Sequence, residues 1–168
     1  MIISELVREI EKFTHADIEI LRELVTNAGQ IIMIGNGGSN SICSHISQDY
    51  TKQLGKKAYA FSDPSRLTCY INDYGIEKAY SHFITEFACP DTLVILISSS
   101  GNSPNIVHSV MTCLSNDYRF ITLTGFDSGN HVRQISKDKS ALDVWVDSHD
   151  YGVVECAHQI FLHAIVGD

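Results

Sequence analysis

His45 and Asp49 stand four residues apart in a segment with helical apolar spacing, so their side chains share one face and can converge on a single atom. Nearer the C-terminus, Glu155, Gln159 and His163 recur at intervals of four, with His158 at the margin of the ladder. Two histidines and two carboxylates carried on two helices suit zinc or another divalent ion that tolerates nitrogen and oxygen ligands, one ion per site. The same groups can move protons. A plain solvated helix face is the alternative, and the two helices must meet for either chemistry to exist.

A third feature binds anions. In Ile97-Ser98-Ser99-Ser100-Gly101-Asn102-Ser103-Pro104 an apolar run ends, hydroxyls gather around a glycine, and Pro104 stands where a first helical residue would, with Ser103 as its N-cap. Free backbone N–H groups, the positive end of a helix dipole and several hydroxyl donors make a phosphate site that needs no lysine. An ordinary capped helix would need one hydroxyl, not four. The turn Gly35-Asn36-Gly37-Gly38-Ser39-Asn40 also permits close backbone approach to a ligand. It is not a dinucleotide fingerprint, because Asn40 stands where G-x-G-x-x-G requires its last glycine, and it lacks the G-K-[ST] of a P-loop. Asn72-Asp73-Tyr74-Gly75 reads as a loop whose carboxylate can bind sugar hydroxyls, or as an Asx-turn before a helix.

The elements that must position these groups alternate. Gln30 to Ile34, Ala58 to Phe61, Thr92 to Ile97, Phe120 to Thr124 and Asp143 to Val146 read as strands. Helical spacing falls near Ser41 to Leu54, Ile76 to Phe87, Pro104 to Leu114, His131 to Ser136 and Gly152 to Val166. Strands apolar at consecutive positions are buried on both faces, which predicts a five-stranded parallel sheet in a doubly wound α/β sandwich. Residues 2–28 add an N-terminal helical extension with two apolar stripes, one from Ile3 to Phe13 and one from Ile18 to Val25.

Composition narrows the function classes. The chain has 168 residues and is 44% hydrophobic, the size of one domain spanning 1–168 with a single core. A formal charge of -8 opposes binding to nucleic acid or an anionic membrane. The longest apolar run, Leu93 to Ile97, is far below the roughly 20 residues of a membrane span, and Glu5 and Glu9 replace the basic start of a signal sequence, so a cytoplasmic protein is expected. Its five cysteines are scattered and form no C-x-x-C pair, which reads as apolar filling in a reducing compartment.

Together, Gly35-Asn36-Gly37-Gly38-Ser39, His45-x-x-x-Asp49, Asn72-Asp73-x-Gly75, the serine stretch and Glu155-x-x-His158-x-x-x-x-His163 resemble the phosphoheptose (sedoheptulose 7-phosphate) isomerase branch of the SIS-domain superfamily. That resemblance implies a flavodoxin-like fold, a homotetramer with sites at subunit interfaces, and often zinc. It assigns the phosphate to Ser98, Ser99, Ser100 and Ser103, and the sugar to Asn36, Gly38, Ser39 and Asp73. His45, Asp49, Glu155 and His163 fall at the metal and catalytic positions. Asp49 would carry a proton between C1 and C2 through an enediol, with His163 serving the sugar oxygens. The implied pathway supplies heptose for lipopolysaccharide and other surface polysaccharides. Against that pattern, Asp49 stands for a glutamate, Glu155 for a glutamine, and Gly152 near another acid. Related readings are an isomerase of a different phosphosugar and a non-catalytic SIS module that binds a sugar phosphate or a replication protein.

Overall fold

The computed structural model describes residues 2–167. Five strands, β1 (Gln30–Gly35), β2 (Lys57–Ala60), β3 (Thr92–Ser98), β4 (Arg119–Thr124) and β5 (Leu142–Trp145), form one sheet in the order β2-β1-β3-β4-β5. All pairings are parallel, with Ile34 opposite Leu96 and Ser98 opposite Thr124. This is the doubly wound, flavodoxin-like order, whose ligands lie beyond the carboxyl ends of the strands. Every residue of β3 is buried, as expected for a central parallel strand covered on both faces.

Helices cover the two faces. Alternation along the strands sends Ile31, Met33, Ile95, Ile97, Ile121 and Leu123 to one side, where they pack with α2 (His15–Asn27), α3 (Gly37–Leu54) and α8 (Tyr151–His163). Ile32, Ile34, Val94, Leu96 and Phe120 go to the other, against α5 (Ala79–Phe87) and α6 (Pro104–Ser115). The short α7 (His131–Ser136) closes that layer through Val132. The N-terminal stripes become two helices. Leu6 and Ile10 of α1 (Ile2–Ile10) pack on the Val153, Val154 and Ala157 side of α8, while Leu21 and Val25 of α2 enter the main core.

Several boundaries differ from the sequence reading. Helix α3 begins at Gly37 and not Ser41, because Asn36 takes the extended N-cap conformation and Gly37 turns the chain at φ +51°. The segment containing Asn72 and Asp73 is not a loop. It is the end of a helix missing from the sequence reading, α4 (Pro64–Tyr74), which Asp63 caps by accepting from the Arg66 amide and Pro64 opens at N1. Gly75, at φ +79°, ends α4, so α5 starts at Ala79 instead of Ile76. Ser103 occupies the N-cap position of α6, but its side chain makes no capping bond; the Ile106 amide is met by Asn105 Oδ1 at 3.0 Å. Among the cysteines Cys43 and Cys113 are buried fillers, whereas Cys69 and Cys156 are exposed.

Candidate active site

Helices α3 and α8 lie side by side and run in the same direction, touching at both ends. At their starts, a Cβ added to Gly38 would lie 2.2 Å from the Glu155 carboxylate, so the two helices approach closely there. At their ends Tyr50 Oη donates to Leu162 O at 2.9 Å and His163 meets Asp49. The two ends carry different chemistry.

The first end is the cleft beyond β1 and β3. Ser98, Ser99, Ser100, Ser103, Asn36 and Ser39 line a cavity of about 130 Å³ that Tyr151 and Glu155 wall on the α8 side. Ser98 Oγ accepts from the Gly101 amide and Ser100 Oγ from the Asn102 amide, both at 3.2 Å, so two loop amides are used internally while each hydroxyl keeps its own proton to donate. Ser99 Oγ is buried and has no hydrogen-bond partner among the described residues. An unpaired hydroxyl at the wall of a polar cavity is free to donate to a ligand there. The loop is braced from behind: the Val132 amide donates to Gly101 O at 2.8 Å and the His131 amide to Asn102 Oδ1 at 2.9 Å.

Asn36 exchanges two 2.9 Å hydrogen bonds with Asn105 and accepts a third from Tyr80 Oη at 2.9 Å. Its amide is therefore fixed by the protein, and it shapes the cleft with little capacity left for a ligand. Neither Asn105 nor Tyr80 stood out in the sequence, because each sits in an ordinary helical pattern. Tyr151 was missed too. Its ring, packed edge-on against Phe126 at 4.9 Å, depends on a loop placed by tertiary contacts.

At the second end His163 Nε2 lies 3.0 Å from Asp49 Oδ2 and His45 Nε2 lies 3.5 Å from the same oxygen. The two imidazoles meet edge to face with centroids 5.1 Å apart. The hydrogen bond from His163, joined by the charges of both histidines, holds the Asp49 carboxyl below the usual carboxylate range. One ligand atom from each of the three residues lies within 4.8 Å of the others. Donors about 2.1 Å from a tetrahedral zinc are about 3.4 Å apart, so this two-histidine, one-carboxylate set fits such an ion and leaves a coordination position open.

Glu155 is not part of that group. Eight residues of α8 separate it from His163, a rise of about 12 Å, and its carboxylate is not among the ligand atoms that lie together there. Its carboxylate instead faces Gly38 and the serine cleft, where burial raises its pKa. Asp73 is also set apart: it is exposed near the end of α4, accepting from Asn72 Nδ2 at 2.9 Å and lying 3.5 Å from Cys69 Sγ.

A doubly wound parallel sheet with a hydroxyl-rich cleft at its carboxyl edge and a histidine–carboxylate group on the flanking helices defines an α/β protein whose ligand cleft can take an anion. The SIS-domain family pattern matches residues 2–125. The phosphoheptose isomerase of Pectobacterium atrosepticum is 31% identical over 82% of this chain and 70% of its own length, and that of Fusobacterium nucleatum 29% identical over 94% and 81%. The solved phosphoheptose isomerase from Neisseria gonorrhoeae superposes with a TM-score of 0.84 at 28% identity, covering 95% of this chain and 88% of that one. The chain belongs to the SIS-domain family and, within it, to the phosphoheptose isomerases.

Proposed function

We propose that the protein is an aldose–ketose isomerase that converts sedoheptulose 7-phosphate to a heptose 7-phosphate through an enediol. The observation that carries this reading is the Asp49 carboxylate held between the imidazoles of His45 and His163, an arrangement that a module serving only to bind a sugar phosphate does not need. The carboxylate takes the pro-reactive hydrogen of C1 as a proton while the carbonyl oxygen at C2 gains one, giving the enediol; returning a proton to C2 and removing one from the C1 hydroxyl completes the aldose. His163 serves the oxygens as acid and base. Ser98, Ser99, Ser100 and Ser103 hold the phosphate, and Asn36, Gly38 and Ser39 form the adjoining wall.

His45, Asp49 and His163 would hold a divalent ion, with zinc the ion we propose. A bound ion supplies Lewis-acid polarisation of the two oxygens that gain negative charge. Asp49 is then shared between holding the ion and moving the proton.

Ser39 and Asp49 are ten residues apart on α3, about 15 Å along its axis, so the phosphate cleft and the histidine group of one chain are well separated. This supports a homotetramer in which neighbouring subunits complete each site, with Glu155 and Asp73 supplied across the boundary. The protein would act in the cytoplasm and furnish heptose for lipopolysaccharide or a related polysaccharide. Among the described residues, no helix is long and apolar enough to cross a membrane. Incubating the purified protein with a panel of ketose phosphates tests the reading: turnover of sedoheptulose 7-phosphate is expected, and its absence alongside turnover of another phosphosugar overturns the substrate assignment.

A further inference from the structure

One polar side chain of α8 takes no part in the chemistry above. His158 is completely buried on a stretch of helix whose neighbours Val153, Val154, Ala157, Phe161 and Leu162 are all apolar. Its Nε2 lies 3.0 Å from Thr124 O, at the last residue of β4. A carbonyl only accepts, so Nε2 carries the proton and Nδ1 is a bare acceptor, which has no partner among the described residues. Thr124 O is already met by the Val146 amide at 3.0 Å. The imidazole is therefore not needed to satisfy that carbonyl, and a leucine would fill the space without leaving Nδ1 orphaned. A group that costs something locally and is not needed there has a use elsewhere.

That use follows from what the contact joins. Directly after Thr124, the Gly125 amide donates to Ser99 O at 2.9 Å, inside the serine loop. Gly125 has no room for a Cβ, which would lie 2.7 Å from Val154 of α8 and 3.1 Å from Ser99 O. The end of β4 is thus pressed between the phosphate loop and α8, and His158 is the hydrogen-bonded link on the α8 side. Along the helix it stands between Glu155, at the cleft, and His163, at Asp49.

We infer that His158 is a positioning residue: its hydrogen bond to Thr124 O fixes the rotation and height of α8, and hence His163 and Glu155, relative to the loop formed by residues 98–103. This inference rests on the isomerase reading for its kinetic consequence but not for its structural one. A slip of α8 by about 1 Å is enough to cost on the order of 100-fold in rate.

The test compares His158→Leu, which keeps volume and loses the donor, with His158→Gln, which restores an N–H. Steady-state kinetics on sedoheptulose 7-phosphate, thermal melting, and native-state exchange of the Gly125 amide are measured on each. For His158→Leu we expect melting close to wild type, kcat lower by about 10- to 100-fold with KM changed far less, and Gly125 exchange faster by about 10-fold. His158→Gln should recover most of both. A His158→Leu protein with wild-type kcat, or a glutamine variant no better than leucine, overturns the inference. So does unchanged Gly125 protection, a readout that needs no substrate. If the wild type turns over no ketose phosphate, the isomerase reading fails and the link is judged on exchange alone.

Discussion

His163 Nε2 and Asp49 Oδ2 lie 3.0 Å apart although 114 residues separate them in the chain, and this contact fastens the far end of α8 to α3 beside the His45 imidazole. An unpaired carboxylate there would be an ordinary surface acid. Paired with two imidazoles, it is a candidate site.

Asp49→Asn removes the proposed base and keeps the shape. Solvent deuterium should no longer enter C1 or C2 of the sugar, with kcat lower by about 10²- to 10⁴-fold, while inorganic phosphate still binds the serine cleft. Undiminished deuterium incorporation would show that another group moves the proton.

Metal content and activity should fall together on dialysis against a chelator, and return together when zinc is restored. A fully active preparation with less than a tenth of an equivalent of metal, as measured by atomic emission, contradicts this.

The serine loop should tolerate no side chain at Gly101. Its φ is +61°, and an added Cβ would lie 2.1 Å from Asn130, whose amide is committed to Gly125 O, Asp127 O and the Arg133 amide and so cannot move aside. Gly101→Ala should cost about 2 kcal/mol or more in denaturant melts. Gly37→Ala, with φ +51° and open space around the Cβ, should cost about 1 kcal/mol, the backbone term alone. Equal losses at both positions would remove the steric argument.

Burial brings the His158 imidazole down from 6.5 to about 4. The folded protein therefore binds fewer protons than the unfolded chain between those values, so stability is unaffected above pH 6.5 and is lost as the pH falls from there towards 4. The full loss is on the order of 3 kcal/mol. Urea melts at intervals from pH 7 to pH 4 should show a steeper decline for wild type than for His158→Leu; parallel curves would mean the imidazole is reached by solvent.

The sheet was legible from the runs of consecutive apolar residues in β1 and β3, whereas the edge strands β2 and β5 alternate, and the serine loop because four hydroxyls precede Pro104. The pair His45 and Asp49 was legible from a spacing of four. What the sequence concealed is what depends on distance across the fold. The Glu155 to His163 ladder reads as one ligand set, yet a rise of about 12 Å divides it between the two ends of α8. Helix α4 carries an apolar stripe, Leu67, Tyr70, Ile71 and Tyr74, behind its Asp63-Pro64 start, but the turn-like Asn72-Asp73-Tyr74-Gly75 at its end masked it. The Asn36–Asn105 pair joins residues 69 apart, and nothing local marks either one.

The Asp49, His45 and His163 side chains stand on the partly exposed flanks of α3 and α8, whereas Ile42, Ile46, Tyr50, Phe161 and Leu162 of the same helices are buried in the core. The proposed catalytic groups and the scaffold therefore occupy different sides of the same two rods. A lineage could discard the chemistry by altering three surface positions and keep an intact, phosphate-gripping body for other work, such as sensing the sugar it once transformed.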